Sequence, residues 1–234
     1  MVQWAVNIVI IISLVAGIYG VALLNALRKK YHFEYLNSFF YYHLLLIIFG
    51  IYGILGNLLV QQILLKFELK TSIIETIAHF FPFLGVPFVL AAWYMLLKFS
   101  AELLNKKVSQ YVAISFFLIT TLIFLLYGWF IQKLPEENYA TLTQKVIIAF
   151  YSIELIISGY VFVVMLLYSF KLKTRQQKIF ILRFAIVLIV LVVLRSVAMH
   201  FSGFHVIIGM YFMLLFFAGN LSLILLTKLS LIHI

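Results

Sequence analysis

The run IFILRFAIVLIVLVVLRSVAMHFSGFHVIIGMYFMLLFFAGNLSLILLT, residues 179–227, decides the architecture. Taken as one helix, it would be more than twice as long as the roughly 20 apolar residues that cross a bilayer. A turn signal lies inside it at HFSGFH, where Gly203 interrupts the apolar run. Splitting there yields two spanning helices, 179–201 and 204–227. The same length rule applied upstream predicts five more, at 2–27, 37–65, 73–97, 111–134 and 146–170. The expectation is an all-α membrane protein, a seven-transmembrane helix bundle that occupies residues 1–228 as one domain.

Composition points the same way. Of the 234 residues 66% are apolar and 10% are charged, more apolar surface than a soluble domain can cover. The first apolar stretch does not read as a cleaved signal peptide: it is too long, no basic residue precedes it, and RKK follows it. There is no cysteine, which excludes disulfides and thiolate chemistry, and no aspartate, which leaves seven glutamates for any acid–base work. A net charge of +10 would suggest nucleic acid in a soluble protein. Here it reads as loop lysines and arginines close to anionic lipid, and no nucleic acid is expected to bind this region.

Loop charge also sets the expected orientation. Arg28, Lys29, Lys30, Lys98, Lys106, Lys107, Lys171, Lys173, Arg175, Lys178 and Lys228 fall on one side. Lys66, Lys70, Lys133 and Lys145 fall on the other, whose longest loop adds Glu136 and Glu137. The positive-inside rule then places the amino terminus outside and the end of the seventh helix in the cytoplasm.

Polar groups at membrane depth are costly unless paired, so each is a candidate functional residue. Glu154 and Arg195 both fall roughly 9–12 Å below the outer surface at about 1.5 Å of rise per residue, and an ion pair between them is expected. Its role is either to fix helix packing or to bind and switch. Glu75 and His79 are four apart on one helix face, followed by Pro82 and Pro87, which are expected to bend that helix. His200 and His205 flank the outer turn between the last two helices, and Asn7, Asn57, Gln61 and Gln62 add polarity to the outer half. The inner half offers His43, Arg183 and Asn220, with Arg183 close enough to the surface to snorkel.

The candidate ligand-binding or switch residues are therefore Glu75, His79, Glu154, Arg195, His200, His205 and Asn57. The favoured reading is an outward-facing pocket for a small ligand, partly lined by aromatics. Most aromatics are expected to pack or to form interface belts, as Trp4, Trp93 and Trp129 do near helix ends. A zinc site from Glu75, His79, His200 and His205 would suit a metal-dependent membrane hydrolase. The sequence has no HExxH or HxxxH, so no metal, cofactor or catalytic residue is expected. A retinal protein is excluded on its own terms, because 204–227 holds no lysine.

Three stretches carry a resemblance. They are RKKYHFEYLNSFFYYHLLLIIFGIYGILGN (28–57), FFPFLGVPFVLAAWYMLLKFSAELLNKK (80–107) and FFAGNLSLILLTK (216–228). Together they resemble bacterial seven-helix membrane sensors that precede a LuxR-type helix-turn-helix. The resemblance implies a sensory receptor domain of a signalling or transcription-regulating protein in the bacterial inner membrane, with an output domain after Lys228. The alternative is a small-molecule permease. Residues 229–234, LSLIHI, resemble a translated transposon end used in sequencing and read as a non-native tail, which would account for the missing output domain. The partners expected are the lipid bilayer, a small-molecule ligand and a second copy of the chain.

Overall fold

A computed structural model of the chain describes the backbone of residues 2–54, 71–104, 106–131 and 136–202, and the side chains over a narrower part of these. Six helices account for almost all of it: α1 (Val2–Tyr31), α2 (Glu34–Ile54), α3 (Thr71–Leu103), α4 (Gln110–Ile131), α5 (Glu136–Lys171) and α6 (Arg175–Ser202). Among the described residues there is no strand. Among the described residues, four stretches are long and apolar enough to cross a membrane: Glu34–Tyr52, Leu84–Leu103, Ser152–Lys171 and Gln177–Leu194. A helix is the structure such stretches require, because it satisfies every main-chain N–H and C=O within the segment. The expected seventh helix, and residues 55–65 of the second, lie outside the described residues.

The helices overrun the expected spans, most of all at α5. It begins at Glu136 rather than near 146, and takes up the stretch expected to be the longest outer loop. Bilayer thickness limits the apolar stretch, not the helix. Likewise α3 runs on to Leu103 and passes unbroken through Pro82 and Pro87.

Ring contacts establish an antiparallel order. Phe39 of α2 meets Phe99 of α3 with ring centroids 5.0 Å apart, whereas Tyr52 of α2 stacks on Phe88 at 5.4 Å, so the two helices run in opposite directions. Near that second contact Gly85 lets them approach closely. A Cβ built there would lie 2.9 Å from Phe49 Cδ2 and 3.1 Å from Tyr52 Cβ. Small residues serve this purpose in membrane bundles, where close backbone approach supplies the dispersion contact that water cannot drive. Tyr94 of α3 then meets Phe116 and Phe117 of α4, and α5 packs on both α3 and α6. The third helix is thus the hub, in contact with α2, α4 and α5.

Short connections gather at one end. Two residues join α1 to α2, and His32 there adopts φ 51° while its N–H donates to Arg28 O at 3.1 Å. This is a left-handed helix cap, which histidine tolerates better than most side chains. Lys106 N–H closes the end of α3 onto Ala101 O at 2.9 Å. Thr174 caps α6 by accepting from Gln177 N–H at 3.3 Å. These turns carry Lys29, Lys30, Lys106, Lys107, Lys171, Lys173, Arg175 and Lys178, so one end of the bundle is strongly basic.

The core follows helical spacing. On α3 Val89, Ala92, Trp93, Leu96 and Phe99 are buried; on α6 Ile181, Phe184, Ala185, Leu188 and Leu191. Phe39, Phe99 and Phe184 form a closed triangle of rings, with the remaining two centroid distances 5.5 and 5.8 Å. Large apolar side chains cover the outside instead, including Ile11, Val15 and Ile18 on α1 and Leu118, Ile119 and Leu122 on α4. A hydrocarbon surround explains such a surface, since lipid is as apolar as the side chains it meets.

Candidate functional site

Above the aromatic triangle, away from the basic end, the core turns polar. Buried there are His43 (5% exposed), Trp93 (0%), Glu154 (1%) and Ser158 (0%). Their heights follow from helix register. His43 stands one turn beyond Phe39 on α2, about 6 Å up, and Trp93 six residues before Phe99 on α3, about 9 Å up. Because α5 and α6 are joined through 172–174, residue 162 of α5 is level with Phe184. Ser158 and Glu154 then stand about 6 and 12 Å above the triangle. Four helix-borne polar groups from α2, α3 and α5 thus fall within roughly one turn of helix in height.

Their surroundings differ from those of the other buried hydroxyls. Ser100 Oγ donates to Leu97 O at 2.7 Å and Ser169 Oγ to Leu166 O at 2.6 Å, the local solution available to a serine in a helix. Ser158 Oγ and His43 Nε2 have no hydrogen-bond partner among the described residues. The His43 ring is held instead by aromatic edges, 4.5 Å from Phe39 and 5.0 Å from Tyr42. A buried polar atom without a partner costs about 1–3 kcal/mol, so this layer is retained at a stability cost. Chemically it offers a carboxylate, an imidazole and a hydroxyl in a medium where each interacts strongly with any polar guest.

The candidate residues fare unevenly. Glu154 is buried in the heart of the bundle, as its sequence position suggested. Arg195 lies on α6, by register about 4–5 Å further from the basic end than Glu154. Its side chain is outside the described set, and the ion pair with it. Glu75 and His79 lie near the start of α3, and His200 in the last turn of α6; all three side chains are likewise outside it. His205 and Asn57 fall outside the described residues altogether. Arg183 is exposed, eight residues into α6 and next to Phe184.

Two members of the layer were not foreseen. Trp93 was expected in an interfacial belt but is fully buried, because α3 continues to Leu103 and places it about 15 Å from the helix end. Ser158 carried no signal, since serine is common in membrane helices. Burial is also not confined to the expected outer half, for Ser38, His43, Ser100 and Ser169 lie from mid-bundle towards the basic end. Comparison of the chain with family models, curated proteins and solved structures finds no match.

Proposed function

We propose that this chain is the membrane-embedded sensory domain of a bacterial signalling or transcription-regulating protein. It would lie in the inner membrane as a seven-helix bundle with its amino terminus outside and its basic turns in the cytoplasm. The observation that carries the reading is the buried polar layer around Glu154, set in an otherwise apolar bundle whose described turns are short. Such a layer gives two packings of the helices different energies when a ligand or a change in the membrane reaches it, which is what a receptor requires. The similarity to sensors that precede a LuxR-type helix-turn-helix supplies the output: a cytoplasmic domain following Lys228. Glu154 and Arg195 form the switch, and the outer residues Glu75, His79, Asn57, His200 and His205 form the entry to the ligand site.

The test has two stages. Sequencing the source DNA past the codon for Lys228 is expected to reveal a cytoplasmic output domain. A reporter driven by the complete protein is then expected to lose its response with Glu154→Leu and with Arg195→Leu. A stop codon at once after Lys228, or an unchanged response in both variants, overturns the proposal.

A transport function is the second reading, and His43 and Ser158 favour it. They extend the polar layer from Glu154 toward the basic end, as a path across the membrane requires. Solute flux into proteoliposomes separates this reading from the first.

A further inference from the structure

We propose that the corner between α1 and α2 is a binding site for the phosphate of an anionic phospholipid, with Arg28 as its centre. The proposal depends on the chain being membrane-embedded and not on the sensory reading. Arg28 is fixed rather than free to wander. Its Nε donates to Asn25 Oδ1 at 2.9 Å, and its guanidinium carbon sits 3.9 Å from the centroid of the Phe40 ring and 5.6 Å from that of Tyr41. Stacking on an aromatic face orients the fork, and among the described residues neither terminal nitrogen has a hydrogen-bond partner, so both can meet an oxyanion. Among the described residues no carboxylate lies within ion-pair distance of it; the ion pair found among them, Lys98 with Glu102, is internal to α3.

The corner adds charge and interfacial character. Lys29 and Lys30 are exposed beside Arg28, and Lys30 Nζ lies 5.1 Å from the Tyr31 ring. Tyr31, Phe33 and Tyr35 follow as a stack, at 6.4 and 5.4 Å, with Phe33 exposed. Phe40 is buried on the core while Tyr41 is exposed, so the half-buried Arg28 lies at the rim of the core with one side toward lipid. Arg28 lies three residues from the end of α1 and opposes Phe40, six residues into α2, so the guanidinium stands between loop level and hydrocarbon, where lipid phosphates reside. Glu34 is the one acidic residue on these two helices; it is exposed and forms no ion pair among the described residues. Three cations against one carboxylate, with an oriented bidentate donor, match a phosphodiester of net negative charge. A zwitterionic lipid brings its own cation and gains less.

Native mass spectrometry of the purified full-length chain, titrated with phosphatidylglycerol and phosphatidylcholine of equal acyl length, tests this. The wild type is expected to retain phosphatidylglycerol preferentially. Arg28→Gln should weaken that lipid about five- to tenfold and leave phosphatidylcholine binding unchanged. Arg28→Lys, which keeps the charge but not the fork, should fall between. Lys106→Gln/Lys107→Gln, on another basic turn, should leave the preference intact. If Arg28→Gln fails to fold, Lys29→Gln/Lys30→Gln decides, with a weakening of phosphatidylglycerol alone expected. Excess inorganic phosphate should not displace the lipid. No preference in the wild type, equal loss in the Lys106/Lys107 variant, or displacement by free phosphate overturns the proposal.

Discussion

Gly85 offers the sharpest test of how α2 and α3 fit together. Replacing it with alanine puts a methyl carbon 2.9 Å from Phe49 Cδ2 and 3.1 Å from Tyr52 Cβ. Carbon atoms pack comfortably at about 3.5–4.0 Å, so the gap must open by roughly 0.5–1 Å. The Phe49 ring can turn aside. Tyr52 Cβ cannot, because it is bonded directly to the α2 backbone, so the helices must separate. Overpacking of this kind costs about 1–3 kcal/mol, against which alanine returns about 0.5–1 kcal/mol of helix propensity. The expected net is a destabilisation of about 1–2 kcal/mol. Gly50 and Gly159 serve as internal controls, since nothing lies within 4 Å of a Cβ at either. Gly50→Ala and Gly159→Ala should each gain about 0.5–1 kcal/mol. The assay is unfolding in mixed micelles of rising sodium dodecyl sulfate, followed by tryptophan fluorescence. A Gly85→Ala protein at least as stable as the wild type, with the controls stabilised as expected, would refute the close contact.

Other outcomes follow from the core and the ends. Ser158→Ala removes a buried hydroxyl that has no partner among the described residues, and should raise stability by up to about 1 kcal/mol. His43→Phe preserves the edge contact with Phe39 and should be no less stable than the wild type; a loss beyond about 2 kcal/mol would show that Nε2 is hydrogen-bonded after all. Phe184→Ala opens the aromatic triangle and should cost about 3–5 kcal/mol in the same unfolding assay. Because the chain has no native cysteine, Ser109→Cys and Lys173→Cys can be labelled singly. Both should react with a membrane-impermeant maleimide in inside-out vesicles and not in intact cells; the reverse pattern would invert the orientation.

The all-helical class could be read from apolar run length alone, since a bilayer admits few alternatives to a helix. The basic turns were equally plain, because Arg28 to Lys30 and Lys171 to Lys178 stand out against an apolar background. Helix ends were not, for the hydrophobic signal stops at the membrane surface while hydrogen bonding continues beyond it, as in the first ten residues of α5. The site was half legible. A lone glutamate such as Glu154 is conspicuous at membrane depth, but Ser158 is chemically ordinary, and only packing distinguishes it from the self-satisfied Ser100 and Ser169. Trp93 was misplaced for a related reason: an indole suits an interface or a core equally, and helix length decided which.

The ring triangle of Phe39, Phe99 and Phe184 has a consequence for traffic. Three rings with centroids 5.0 to 5.8 Å apart leave no room between them for a file of water. Lying between the polar layer and the basic turns, they act as a stopper along that line. Were a solute or proton to reach Glu154, the line from the basic turns is the one these rings close. Passage along that line toward the basic side would require the rings to part, which makes them the gate for a transporter and the insulation for a receptor.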